Sequence, residues 1–306
     1  MRAFVLPLAG ANTVELAEVP KPLIDADELL VQVKAVGVGI HDSYFLPQDA
    51  SYPFPIGIEA AGIVAEIGAD TTGVHPGDRI AFVSSMQPKG GTWAEFVAVK
   101  ANSLIIPLPA AVDWVHAAAI PVAGNTVLRA LHALAGIPSG GSLFIAGGSG
   151  AIGTLGIQLA RQHNWRVGAS ASAANHSYLR SLGAEMVVDY HSPDWVQQVR
   201  QWMPDGVDGA LAVQPGTAAQ TLGVVKNGGQ LVPISGDNPV PERGIEVVGI
   251  PYQSDVRAEV LQLMADVAGE KIHVELEQVH PFGDALAALA KVQTRRARGK
   301  TVLELP

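Results

Sequence analysis

Ser142-Leu143-Phe144-Ile145-Ala146-Gly147-Gly148-Ser149-Gly150-Ala151-Ile152-Gly153 decides the fold. Its first five residues read as a short apolar strand, and Ile152, Leu155, Ile157, Leu159 and Ala160 then recur close to helical spacing. Between them Gly147, Gly150 and Gly153 form a G-x-x-G-x-x-G loop. In such a loop the missing side chains allow a tight turn, close approach of backbone to a pyrophosphate, and close helix packing. The helix start adds unpaired N–H groups at Ala151 and Ile152 and the positive end of a dipole, both suited to phosphate. Trp165-Arg166-Val167-Gly168-Ala169 returns after one helix length as the second strand of a βαβ unit. The chemical rival is a serine hydrolase's nucleophile elbow, because Gly147-Gly148-Ser149-Gly150-Ala151 lies one residue from G-x-S-x-G. An elbow gives Gly153 no task. The dinucleotide phase uses all three glycines and leaves Ser149 as a phosphate donor.

Outward from this unit the alternation is regular. Strands are expected at 143–146, 166–169, 186–189, 210–213, 230–234 and 246–250, with helices around 151–163, 173–182, 193–202 and 217–225. That pattern predicts an α/β fold, a Rossmann doubly wound parallel sheet. Ser192-Pro193-Asp194 predicts a helix start, and Gly183 and Asn227-Gly228-Gly229 predict helix stops. Residues 1 to about 110 instead alternate short strands with Pro and Gly punctuation, which predicts a β-rich domain. An alanine-rich helical stretch follows from Asp113 to Gly136. The end of the chain predicts helices near 255–268 and 283–293 and a closing strand at 301–305. The expected division is a β-rich domain over 1–120, completed by 253–306, and a dinucleotide-binding domain over 121–252.

Composition bounds the function. Of 306 residues, 48% are hydrophobic and 16% charged, against roughly 25% charged in an average globular chain, so a sizeable core can form. A net charge of -9 and a single basic cluster at Arg295-Arg296-Ala297-Arg298 argue against a nucleic-acid or anionic-membrane partner. There is no cysteine, which excludes disulfides, thiolate metal sites and a cysteine nucleophile, and suits a reducing, cytoplasmic setting. Arg2 and the apolar residues after it resemble a signal peptide only superficially, since Pro7 breaks the run; a first strand is expected. No apolar stretch reaches the length of a membrane span.

Several strings together resemble the medium-chain dehydrogenase/reductase superfamily. Gly57-Ile58-Glu59-Ala60-Ala61-Gly62 is similar to its Gly-His-Glu-x-x-Gly segment, Gly77-Asp78-Arg79-Ile80 to its Gly-Asp-Arg-Val turn, Pro121-Val122-Ala123-Gly124-Asn125-Thr126 to its Pro-x-x-Gly-x-Thr stretch, and Gly299-Lys300-Thr301-Val302-Leu303 to its ending. The resemblance implies a GroES-like catalytic domain beside the Rossmann domain, with a cleft between them. It also selects a branch. Zinc alcohol dehydrogenases hold metal with cysteine and histidine; here the histidine of the segment is Ile58, which offers no lone pair. What remains resembles the zinc-free quinone oxidoreductases, with no metal. That branch often reads Gly-Val-Asn-Pro-x-Asp after its third strand, whereas Gly37-Val38-Gly39-Ile40-His41-Asp42 has Gly39 at the asparagine position.

Cofactor choice is read at the end of the second Rossmann strand, where NAD enzymes place a carboxylate on the ribose. No acid occurs from Gly168 through Ala184, and Ser170, Ser172 and Asn175 offer neutral hydrogen bonds, which favours NADPH. By family position Tyr190 lies near the 2′-phosphate and Thr126 touches the nicotinamide; Ser235, after the strand at 230–234, joins the expected cofactor set. The candidate catalytic residues are Tyr44, to present a phenol to a carbonyl oxygen, His41, for proton delivery, and Asp42, whose bland reading is a turn cap. Loops 40–55, 84–92 and 236–256 are expected to shape the acceptor pocket. The expected function is hydride transfer from NADPH to a quinone or α,β-unsaturated carbonyl. The alternative is a nucleotide-holding sensor or structural protein without turnover. The apolar strand at 246–250 ends the sheet and predicts a homodimer.

Overall fold

The computed structural model describes residues 1–84 and 87–306, so Ser85 and Met86 of the loop at 84–92 lie outside the described residues. The chain divides into two units, Met1–Val122 with Val260–Pro306, and Ala123–Glu259. In order the elements are β1 (Arg2–Leu6), β2 (Glu15–Glu18), β3 (Glu28–Val38), β4 (Phe54–Pro55), β5 (Glu59–Ile67), β6 (Arg79–Val83), β7 (Phe96–Lys100), β8 (Ile105–Pro107) and helices α1 (Trp114–Ala118) and α2 (Pro121–Ala133). There follow β9 (Ser142–Ala146), α3 (Ala151–Gln162), β10 (Arg166–Ala171), α4 (His176–Ser181), β11 (Met186–Asp189), α5 (Trp195–Trp202), β12 (Val207–Ala212), α6 (Ala218–Leu222), β13 (Val225–Pro233) and β14 (Glu246–Val247). The chain closes with α7 (Arg257–Ala268), β15 (Leu276–Pro281), α8 (Ala285–Gln293) and β16 (Lys300–Glu304).

The first unit is built on β3. This strand is buried almost end to end and pairs antiparallel with β5, β7 and β16 in a sheet ordered β15-β16-β3-β5-β6-β8. A small sheet, β2-β1-β4, stands beside it. Between them Phe4 meets Trp93 and Phe282 edge-on, with ring centroids 6.1 and 5.2 Å apart. Burying such rings contributes on the order of 2 kcal/mol or more each. β16 sets Thr301 opposite Val38, so the last residues of the chain complete a sheet begun by the first forty.

The second unit is a parallel sheet ordered β11-β10-β9-β12-β13-β14. Counted from β9 this is the 3-2-1-4-5-6 doubly wound order, with its topological switch between β9 and β12. The glycine loop leaves the carboxyl end of β9, where such sheets bind ligands. Phe144 and Trp195 stack at 5.6 Å within its core.

Three local expectations are corrected. Helix α5 begins at Trp195 with Asp194 as its cap residue, because the Ser192 hydroxyl is bound to the Asp194 carboxylate and the Ser192 N–H to the Asp189 carbonyl. Asn227-Gly228-Gly229 lies inside β13 and stops no helix; α6 ends at Leu222 with Gly223 as its C-cap. The register between β12 and β13 shifts there, and a Cβ at Gly229 would lie 2.7 Å from the Asp208 carbonyl. The strand expected at 246–250 pairs only over Glu246–Val247.

Candidate active site

Gly147 turns the chain at the end of β9 with φ 96°, a conformation that favours glycine. A Cβ at Gly153 would lie 2.4 Å from the Gly147 carbonyl oxygen, so this glycine lets α3 pack on its own loop. Gly150 differs: a Cβ there meets nothing within 4 Å. It is the N-cap residue of α3, with no side-chain hydrogen bond capping the helix. Among the described residues no side chain caps the helix, and Ala151 and Ile152 beside the open Gly150 are partly exposed, so their N–H groups suit a pyrophosphate. Ser149 is partly exposed beside them, and no histidine is hydrogen-bonded to it among the described residues, so the base an elbow needs is missing.

Ser172 follows β10, Tyr190 follows β11 and Ser235 follows β13, so these expected cofactor residues share the carboxyl end of the sheet with the glycine loop. The Ser235 N–H donates to the Ala212 carbonyl at 3.2 Å, and Asn175 Nδ2 donates to Ser172 Oγ at 3.2 Å. Tyr190 is 49% exposed, its ring centroid 4.1 Å from that of His191. Ser170 has a different task. It is buried, its Oγ accepts from the Gly147 N–H at 3.2 Å and its carbonyl from the Gly148 N–H at 2.9 Å, so it holds the loop from beneath. Thr126 is partly exposed on α2.

His41, Asp42 and Tyr44 lie together in the first unit on the turn that follows β3. The Tyr44 hydroxyl lies 2.7 Å from His41 Nδ1, with the rings edge-on at 5.3 Å. Tyr44 is 56% exposed. Burial, followed by the charges of Arg295 and Lys300, moves the His41 pKa below its ordinary value, so the imidazole is neutral near pH 7. With Nδ1 as donor, the phenol proton is left for an acceptor oxygen.

Asp42 is buried beneath this turn and accepts from the Gly39 N–H at 2.9 Å and from Trp93 Nε1 at 3.0 Å. Burial pushes its carboxyl up to about 7 in spite of both donors and Lys300. A Cβ at Gly39 would come within 3.0 Å of Asp42 Oδ1, so glycine there lets the carboxyl close the turn.

Sequence reasoning missed a second buried group. Glu59 and Lys300, 1% and 7% exposed, form an ion pair, and Glu59 also accepts from the Val122 N–H at 2.7 Å. A Cβ at Gly37 would lie 2.8 Å from the Glu59 side chain and 2.3 Å from the Ala118 carbonyl. Both ion-pair partners stand in the family-like strings Gly57-Ile58-Glu59 and Gly299-Lys300; that recurrence was the only signal, since 241 residues separate them. Among the described residues no cluster of three or more His, Cys, Asp or Glu could hold a metal ion, and no helix is long and apolar enough to cross a membrane.

Residues 25–110 match the alcohol dehydrogenase GroES-like domain, and residues 182–303 match a family described as zinc-binding dehydrogenase. A trans-enoyl reductase of Aspergillus terreus is 32% identical over 73% of this chain and 80% of its own length. An NADPH-dependent alkenal/one oxidoreductase of Arabidopsis thaliana chloroplasts is 28% identical over 99% of this chain and 79% of its own. The solved quinone oxidoreductase of Coxiella burnetii superposes with a TM-score of 0.87 at 26% identity, covering 100% of this chain and 99% of that one. With a doubly wound sheet behind an open glycine loop and a GroES-like unit lacking the zinc ligands, the chain belongs to the medium-chain dehydrogenase/reductase superfamily, as an oxidoreductase of the quinone and enone reductase type.

Proposed function

We propose that this chain is an NADPH-dependent, zinc-independent reductase that delivers hydride to a quinone or to the conjugated system of an α,β-unsaturated carbonyl compound. The observation that carries the reading is the open space over Gly150 in front of an uncapped α3. When bound, the reduced nicotinamide supplies the hydride. The residues of the chain bind and orient. Gly147, Gly150 and Gly153 allow the backbone to approach the pyrophosphate, the N–H groups of Ala151 and Ile152 and the Ser149 hydroxyl donate to it, and Ser172, Asn175 and Tyr190 receive the adenosine ribose. Thr126 and Ser235 complete the nucleotide contacts. Negative charge develops on the acceptor oxygen as it is reduced, and the Tyr44 phenol, backed by His41, stabilises that charge and passes on a proton. Asp42 acts indirectly, by fixing the turn that carries both.

NADPH is favoured by the neutral hydrogen-bonding groups that follow β10 and by the name of the Arabidopsis relative. Zinc has no role here, since Ile58 offers it no lone pair and no thiolate exists. We also propose a homodimer through the exposed edge at β14, which light scattering at micromolar concentration tests. The deciding experiment is steady-state oxidation of NADPH and NADH with a panel of simple quinones and enones, with and without a chelator. Turnover that survives chelation is expected. No turnover with any acceptor, or loss on chelation with recovery on zinc, overturns the reading.

A further inference from the structure

In a dinucleotide-binding sheet the second strand ends at the adenosine ribose, and a carboxylate there reads the 2′ position. In this chain β10 ends at Ala171, and Ser172 and Asn175 follow without an acid. The acid arrives from the neighbouring strand. β11 runs parallel to β10 in a register that sets Asp189 beside Ala171, and Asp189 Oδ2 accepts from the Ala173 N–H at 3.2 Å. Asp189 is therefore fastened to the turn that carries the ribose-reading residues, although it lies 16 positions beyond Ala173 in the chain. Its Oδ1 accepts from the backbone N–H of His191 at 2.9 Å and lies 2.7 Å from His191 Nδ1. These contacts, the His191 N–H foremost, hold the carboxyl below its ordinary range. The Asp189 side chain is 30% exposed and that of His191 66%, so the pair is partly open to solvent at the carboxyl end of the sheet. Around it, His176 Nε2 lies 3.2 Å from the Ala171 carbonyl, and Arg180 makes no ion pair among the described residues.

We propose that Asp189 sets the balance between NADPH and NADH: its carboxylate, carried to the end of β10 by β11, repels a 2′-phosphate and tolerates a 2′-hydroxyl, while His191 tempers that charge. The neutral Ser172 and Asn175 then admit both nucleotides, and Asp189 determines how far NADPH is preferred. The proposal rests on the nucleotide reading given above, with Asp189 as a specificity-determining residue that sequence order conceals.

The test is equilibrium binding of four ligands, NADPH, NADH, adenosine 2′,5′-bisphosphate and ADP, to the full chain and to Asp189→Asn, Asp189→Ser and His191→Ala, each checked for native circular dichroism. Both Asp189 variants are expected to raise affinity for NADPH relative to NADH about tenfold, with the same shift between the two adenosine fragments, since one charge is removed at a partly solvated site. His191→Ala is expected to shift the ratio the other way, by about threefold. An unchanged ratio in both folded Asp189 variants overturns the proposal. So does a selective loss of 2′-phosphate ligands, which would make Asp189 an organiser of the phosphate site. Wild-type protein that binds none of the four ligands overturns the nucleotide reading itself, and the proposal with it.

Discussion

Replacing Asp42 by asparagine should make the protein's stability less sensitive to pH, in one direction and over one window. The Asp42 carboxyl is buried and raised from 3.8 to about 7, chiefly by loss of hydration. Well below pH 3.8 it is protonated in folded and unfolded chains alike. As pH rises the unfolded chain ionises first, so folding must retain a proton that water would take. Stability is therefore lost progressively until the folded carboxyl ionises near 7. The shift corresponds to about 4 kcal/mol in all, of which about 3 kcal/mol falls between about pH 5 and pH 8. The amide of the Asp42→Asn variant does not titrate. The Gly39 N–H and Trp93 Nε1 donate to one and the same oxygen of Asp42, so the amide oxygen can still accept from both, and any cost of the new NH2 group does not vary with pH. Equilibrium urea unfolding of both proteins at the two pH values isolates the effect, because the remaining titrations are shared. The variant should gain on the wild type by about 3 kcal/mol on going from the lower pH to the higher. A difference that stays constant within about 0.5 kcal/mol would refute a raised, buried Asp42.

The two loop glycines should fail differently. Gly150→Val, into open space, should keep the stability within about 1 kcal/mol and abolish nucleotide binding, whereas Gly153→Ala, pressed against the Gly147 carbonyl, should destabilise by about 1–3 kcal/mol; calorimetry of both variants separates them. Tyr44→Phe should lower turnover about tenfold or less with nucleotide affinity preserved, because water or another hydroxyl can replace one exposed donor. Steady-state kinetics check this, and complete loss of turnover would make the phenol indispensable. Lys300→Met strands the Glu59 carboxylate in the core and should cost about 3–5 kcal/mol, most of it recovered by adding Glu59→Gln. Urea unfolding of the double-mutant cycle measures the coupling, and strictly additive losses would contradict it.

The sequence by itself determined the elements whose stability is local in origin. Ser142–Ala146 and Ala151–Gln162 stand where the apolar run and the helical period put them, and the glycine spacing set the loop between, because Gly147 takes a positive φ at the turn and Gly153 packs against the Gly147 carbonyl a few positions away. Sequence also supplied the family, through short strings in the right order. Tertiary structure alone decided what depends on distant partners. The strands Phe54–Pro55, Ile105–Pro107 and Leu276–Pro281 have too few residues, or too many polar ones, to show a period, and exist because β1, β6 and β16 offer them hydrogen bonds. Asp42 reads as an ordinary turn acid until Trp93, 51 residues on, closes over it and burial moves its pKa. Glu59 needs Lys300 to be tolerable in a core, and Asp189 reaches the end of β10 only through the parallel register of β11. Such charges are placed by the fold because desolvation and pairing act through space, and nothing in their local sequence records either.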